Sequence, residues 1–484
     1  MKHKLFVAAI ALSLTAGLAL AQDAKAVLQK AATAMGTANL TSIQFSGTGH
    51  FSALGQNLLP NAPWPETTVT SYTRTVDFAS KSSKEEMKRT QNTPPSKGGG
   101  APFAGEQAQV NLVSGQYAWN QPGQQPQPQV AAADERQLQI WLTPEGFIKG
   151  AMEGSATAKR AKGGTQITFT AMGKYKIVGI VDDMGMVTKV DTWIPNPVLG
   201  DMLVETMYSG YKDFGGVKFP AKIVQNQGGH PVFDLAVTDV KANPGLALTV
   251  PEPVRTAKLP PVMVESQKLG DGAWWLGGGS HHSVVVEFKD YVAIVEAPLT
   301  EERAEAVLAE AKELVPNKPV KYVVNTHHHF DHSGGLRAIA AEGITIITNE
   351  QNKAFYEQAW KAPHTLEPDK LSKNPKKAKF ITVKDRYELT DGTQALDLYF
   401  IEGNDHNGDM MLGYLPKQKV LIEADLFTPG APNGPPPVPV ALNFTKELYD
   451  NVQRLKLDIV TIAPLHGRVV PYTDMLKVLG KTTS

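Results

Sequence analysis

The sequence predicts a two-domain protein of mixed class, an antiparallel β-rich domain over residues 22–245 followed, after a linker at 246–263, by an α/β domain over 264–484. Three observations predict it. At 484 residues with 42% hydrophobic content, the chain is long enough to bury two substantial cores. Runs of alternating β-branched and aromatic residues recur between Ser42 and Val240, which is strand periodicity. Beyond the proline-rich stretch Pro244 to Pro261, helical and strand patterns alternate instead, as at Glu301 to Leu314 and Val320 to Val324.

Met1 to Ala21 reads as a secretory signal peptide. Lys2 and Lys4 precede the apolar run Leu5 to Leu20, and Ala19-Leu20-Ala21 is a small-x-small cleavage site before Gln22. Ser13, Thr15 and Gly17 interrupt the run, which favours cleavage over a permanent anchor, and no cysteine follows it to carry a lipid. The expected location is therefore periplasmic or secreted. The chain has no cysteine, so disulfides and thiolate ligands are both excluded. Removing the signal takes two lysines and no acid, leaving 46 basic residues against 48 acidic ones. That balance argues against nucleic acid as a partner, which would need a basic footprint. No later stretch is long and apolar enough for an integral membrane segment. The expected partner is a small-molecule substrate; composition says nothing of oligomeric state.

In the first half, Asp23 to Met35 has helical spacing and stops at Gly36. Ser42 to Phe51 and Thr67 to Phe78 read as strands. Ile167 to Ile194 reads as strand, turn at Asp182 to Gly185, strand, and Leu203 to Tyr211, Val217 to Val224 and Val232 to Val240 continue the series. Such a succession predicts an antiparallel sheet curled on itself or backed by helices. Gln91 to Gly105 and Gln121 to Val130, rich in Pro, Gly and Gln, read as surface loops, or alternatively as a lid. His50 and His230 are isolated and read as ordinary surface or turn histidines. The strand rhythm and aromatic positions of Gly210 to Gly245 loosely resemble the half-barrels of periplasmic lipoprotein carriers. That resemblance implies a sheet able to hold an acyl chain or peptide; the favoured reading is an accessory domain that only packs against its neighbour.

In the second half, Ser266 to Leu276, His282 to Phe288 and Tyr291 to Val295 read as strands. Thr300 caps the helix that carries Ala304, Val307, Leu308, Ala311 and Leu314 on one face. Strand Val320 to Val324 then runs into Thr326 to Gly335, THHHFDHSGG. Four histidines and an aspartate lie within six positions, and imidazole and carboxylate are the ligands that suit zinc, iron and manganese. In an extended segment alternate residues share a side, so His327 and His329 can share one ion, while Asp331 and His332 diverge towards a second. His328 and Phe330 point elsewhere. Ser333 is expected to cap the next helix, its two leading glycines allowing close backbone approach, with Gly343 as its stop and strand Ile344 to Ile347 beyond.

THHHFDHSGG resembles the signature of the metallo-β-lactamase fold superfamily. The resemblance covers about Val264 to Thr473 and implies an αββα sandwich with a one- or two-metal hydrolytic site at one edge. Glu296 stands where the family commonly has Asp, with a bracing role towards the metal loop. His406, in EGNDHNGD after strand Ala395 to Ile401, resembles the third ligand motif, with Asp405 and Asn407 replacing its usual neighbours. Asp425, in VLIEADLF, resembles the carboxylate that bridges two metals, and His466, in APLHGRVV, resembles the closing ligand.

The resemblance implies that His327, His329 and His406 hold one cation and Asp331, His332 and His466 a second, with Asp425 between them. Such a pair of divalent ions, zinc by default and iron or manganese as alternatives, would hold a shared hydroxide for attack on a carbonyl. Asp331 would steer that nucleophile and pass a proton to the leaving group. The expected activity is thus metal-dependent hydrolysis of an ester, lactone, thioester or amide-type carbonyl. A β-lactamase, a periplasmic lipid or peptide carrier with a structural metal domain, and an iron-dependent oxidoreductase of the same fold are the alternatives. His281 and His282, in GGGSHHSVVV, are read as structural because no ligand spacing ties them to the loop. Trp274 and Trp275 read as core and hairpin residues, and His364 as part of a pocket rim.

Overall fold

The computed structural model describes residues 24–431 and 442–481; the expected signal segment lies outside them. Residues 24–35 form the first helix, as their spacing predicts. A single antiparallel sheet of 13 strands then dominates the first half. Strand Ser42–Ser52 lies at its centre, paired with Glu66–Asp77 on one side and with the last strand, His230–Ala242, on the other. The beginning and end of this half are thereby zipped together. Residues Ile43, Phe45, Tyr72, Val76, Leu235 and Val237 alternate onto a face that is buried in one hydrophobic core.

Several elements escape the sequence pattern. Ile167 to Ile194 is three strands rather than two, because Met172 and Gly173 adopt positive φ (53° and 68°) and make an extra turn. Helices Ala133–Trp141 and Pro144–Glu153 back the sheet, and Leu138, Ile140, Phe147 and Ile148 on them are almost wholly buried. A cavity of about 410 Å³ opens between these helices and the sheet, lined by Phe45, Tyr72 and Phe219 together with Arg74, Glu135 and Gln225. The proline-rich stretch after the sheet holds a short helix, Glu252–Thr256, whose Val254 packs on Leu112 and Trp119.

The second half stacks two sheets. Seven strands run from Glu265–Gly270 to Lys379–Val383, the first four antiparallel and the last four, from Val292–Val295 on, mutually parallel. Six strands from Arg386–Thr390 to Val470–Pro471 form the second sheet. Strand Ser283–Glu287 explains the layering: Val284 and Val286 face the inter-sheet core with Leu398, Leu412 and Ile422, whereas Val285 faces helices Glu301–Leu314 and Leu336–Glu342. Helix Leu442–Leu455 covers the other sheet through Phe444, Leu448 and Val452. The result is four layers, helix, sheet, sheet, helix. Thr300 caps Glu301–Leu314 as expected, its hydroxyl accepting from Arg303 N at 3.3 Å. Ser333 does not cap the following helix: Gly335 holds that position, and Ser333 Oγ donates instead to the carbonyls of His328 and His329. Among the described residues, no helix is long and apolar enough to cross a membrane.

Candidate metal centre

Most of the singled-out histidines and acids of the second half lie in loops that follow strands, whereas His364 follows helix Glu350–Ala359. Val292–Val295 runs into Glu296, Val320–Val324 into the histidine loop, Val420–Glu423 into Asp425 and Thr461–Pro464 into His466. The loop after Val324 is fixed by Asn325, whose amide donates to His327 O at 2.6 Å and whose carbonyl accepts from Thr348 Oγ1 and Tyr356 OH. Its two glycines are required by contact. A Cβ on Gly334 would stand 1.9 Å from Leu299 O, and one on Gly335 would stand 2.7 Å from Ala297 O. Glu296 and Asp425 hold left-handed backbone, at φ 77° and 64°, a conformation uncommon for residues other than glycine.

His327, His329 and His406 form a first group whose donor atoms lie within 4.8 Å of one another. Their outer nitrogens decide their tautomers. His329 Nε2 is 3.0 Å from Asn57 O and His406 Nδ1 is 2.6 Å from Gly99 O; a carbonyl only accepts, so each of these nitrogens carries the proton. Thr326 gives its hydroxyl proton to Glu296, so its oxygen accepts from His327 Nδ1 at 3.1 Å. Each ring is left with a lone pair on the opposite nitrogen. His329 Nδ1 is buried without a hydrogen-bond partner, and His327 Nε2 faces His406 Nε2 at 3.4 Å.

A second group is built the same way. His332 Nδ1 donates to Glu296 at 3.1 Å and His466 Nδ1 to Ser280 O at 2.9 Å, so the two Nε2 atoms, 3.1 Å apart, are the ones left free to bind a cation. Asp425 stands between the groups. Its Oδ2 lies 3.0 Å from His332 Nε2 and 3.6 Å from both His327 Nε2 and His406 Nε2, and its Oδ1 lies 3.1 Å from His466 Nε2. That Oδ2 is buried without hydrogen-bond geometry to any neighbour. Four imidazole nitrogens packed on one carboxylate, with Asp425 Oδ2 and the neighbouring His329 Nδ1 left without hydrogen bonds, is unfavourable by itself and becomes favourable around cations. The donor set therefore fits divalent metal.

The electrostatics agree. Burial, reinforced by the neighbouring imidazoles, holds His327 and His329 well below the ordinary histidine range, which keeps them neutral. Burial opposes charge on His332 as well, yet Asp425 and Glu296 together drive its pKa well up: a positive charge at Nε2 is wanted there, whether proton or metal. Burial likewise works against the Asp425 carboxylate, but His332 and His406 hold it well below its usual range.

Asp331 sits at the accessible edge. Gln56 Nε2 donates to its Oδ1 at 2.8 Å and His281 Nε2 lies 3.2 Å from its Oδ2. Burial raises its pKa, but the hydrogen bond from His281 and the charge of His332 more than reverse that, so it stays ionised. His328 turns away, as the alternation predicts, to Asp409 and to Asn57 Oδ1 at 3.0 Å.

The structure corrects three sequence expectations. His281 is not a remote structural residue: it is 8% exposed, and its donor atoms share a 4.8 Å group with His332 and His466. His282, by contrast, packs its ring on Trp275 and is structural. The first half is not a bystander either, because Gln56, Asn57 and Gly99 all touch the cluster. Gln91 to Gly105 is consequently more than a surface loop, Gly98 N donating to Asp405 O at 2.8 Å beside the Gly99 contact. His364 lies away from the histidine cluster, in a cleft with Asp201, Arg337 and Asp369. The doubled histidine of GGGSHHSVVV was the available signal for His281; a main-chain carbonyl such as that of Asn57 or Gly99 leaves none.

The model of the metallo-β-lactamase superfamily matches residues 276–470. Residues 276–470 form a metallo-β-lactamase superfamily domain. Solved structures similar to it include a metallo-β-lactamase from Pontibacter korlensis, 21% identical with a TM-score of 0.35, which is covered in full by 46% of this chain. The mono-zinc form of the metallo-β-lactamase FIM-1 from Pseudomonas aeruginosa is 16% identical, with a TM-score of 0.34 over 45% of this chain and 94% of that one. One from Erythrobacter litoralis is 18% identical, with a TM-score of 0.34 over 45% of this chain and 95% of that one. The matched superfamily segment begins after the 13-stranded sheet ends at Ala242, so Gln56, Asn57 and Gly99 are contributed from outside it.

Proposed function

We propose that the chain is an exported, dinuclear metal-dependent hydrolase acting on an ester, lactone, thioester or amide-type carbonyl of a small molecule. The observation that carries this reading is the convergence of four imidazole nitrogens on the carboxylate of Asp425, with His329 Nδ1 in the group of two of them. His327, His329 and His406 would hold one divalent cation and Asp331, His332 and His466 the other, with Asp425 shared. When bound, such cations acidify water to a nucleophile near neutral pH and polarise the substrate oxygen.

The residues of the chain do the rest. Thr326, Glu296, Ser280, Asn57 and Gly99 keep every lone pair aimed inward, so the donor set is preorganised before any ligand arrives. Substrate would approach from the side of Asp331, whose side chain is 33% exposed, against 17% for Asp425, 16% for His466 and none for His327 and His332. Asp331 is the carboxylate on that side, suited to orient the nucleophile, accept its proton and deliver it to the leaving group. Export rests on the signal pattern of Met1 to Ala21.

The test is hydrolysis of a panel of lactones, thioesters, β-lactams and phosphodiesters by metal-stripped and reloaded protein. Expected is turnover of a carbonyl substrate that disappears on chelation and returns with zinc, iron or manganese. Undiminished turnover by the stripped protein would overturn the reading, as would inertness of the loaded protein across the panel.

A further inference from the structure

Resting on that dinuclear reading, we infer that His281 is an additional ligand of the second cation.

Proximity ties His281 to the second group. Its donor atom lies within 4.8 Å of those of His332 and His466, and its Nε2 is 3.2 Å from Asp331 Oδ2.

His281, Asp331, His332 and His466 with Asp425 make five donors, one more than a tetrahedral ion accepts, and leave one octahedral position open. All are nitrogen or oxygen donors, which suit iron and manganese as well as zinc. Gln56 occupies Asp331 Oδ1, which leaves that carboxylate a single oxygen to offer and makes a further donor useful.

His281 is also built into place. Its carbonyl accepts from Arg303 at 3.1 Å, its Nδ1 is 2.8 Å from Ser280 Oγ, and the Ser280 carbonyl anchors His466. Its ring centroid lies 4.2 Å from that of His466 and 5.0 Å from that of His332. If Ser280 accepts from Nδ1, the Nε2 lone pair faces the group. If Ser280 donates, Nε2–H is merely a hydrogen-bond donor to Asp331. One proton separates the two states.

Cobalt(II)-loaded protein resolves them, because every ligating imidazole that keeps an N–H gives a paramagnetically shifted, exchangeable proton signal. Expected in the full chain is one signal for each histidine of the two donor groups, six in all, falling to five in both His281→Ala and His281→Gln. Glutamine can still donate to Asp331, so restoration of wild-type spectra and metal affinity by His281→Gln would mark a hydrogen-bonding role and overturn the inference. Five signals in the wild type would overturn it while leaving the dinuclear reading intact; absence of any shifted signal would overturn both.

Discussion

The two donor groups flanking Asp425 are made from the same chemistry and anchored by different parts of the chain. In the first, two of the three imidazoles are held by carbonyls of the N-terminal half, Asn57 and Gly99. In the second, His332 and His466 are held within the metallo-β-lactamase domain, by Glu296 and Ser280, and the N-terminal half reaches only Asp331, through Gln56. The difference teaches that the large antiparallel sheet is part of the centre. Strand Ser42–Ser52 leads directly into the loop that carries Gln56 and Asn57, and Phe330 N donates to Gly55 O at 3.1 Å where that loop meets the metal loop. The sheet would act as scaffold for outer hydrogen bonds that orient the proposed ligands, a contribution typically worth about 10–100-fold in metal affinity.

The contrast yields a graded series of perturbations. Asp425→Ala removes the carboxylate common to both groups and should have the largest effect, costing hydrolysis more than the roughly 100-fold upper range of an outer-partner change and lowering the affinity of both cations; activity assays alongside metal titration check it. His329→Ala and His332→Ala should each lose one cation and retain the other, and the double variant should lose both. Metal analysis in which the double variant keeps one ion would break the distinction between the groups.

Anchors come next. Gly55 has φ +75°, and a Cβ there would stand 2.4 Å from the Phe330 ring, so Gly55→Ala should push the loop off the cluster. The expected result is a fall of about 10–100-fold in affinity at the first subsite, with the second nearly unchanged. Glu296→Gln should do the converse more strongly than at the first, since it weakens the acceptor for His332 Nδ1 directly and reaches His327 only through Thr326. Competition with a chelator, read separately for the two ions, checks both. The smallest effect belongs to Gln56→Ala, about tenfold or less, confined to the second subsite and to turnover through Asp331.

What could be seen in the sequence follows the same division. Thr326 to Gly335 was legible because its donors are contiguous, unusual in density and presented by a strand end. His406, Asp425 and His466 were found as chemistry-bearing residues at further strand ends, and their convergence is visible only once the two sheets are stacked. His281 was missed because nothing in the spacing of GGGSHHSVVV ties it to a loop some fifty positions away. The anchors Asn57 and Gly99 act through main-chain carbonyls, which every residue possesses, so their side chains carry no message. Gly55 was the nearest thing to one, and a lone glycine in a loop has too many ordinary explanations. In the first half the strand rhythm announced an antiparallel sheet. It missed helices Ala133–Trp141 and Pro144–Glu153, which are amphipathic but broken by Pro144 and surrounded by polar stretches, and it missed the turn at Met172, where a non-glycine residue takes a left-handed conformation.

The central claim is that this cluster holds two cations around Asp425. Titration of metal-free protein with chelator-buffered zinc, and separately with manganese or ferrous iron, measures it most directly. The account predicts two ions per chain in the wild type and one in each of His329→Ala and His332→Ala. Saturation at a single ion in the wild type, or two ions retained by Asp425→Ala at undiminished affinity, would contradict it.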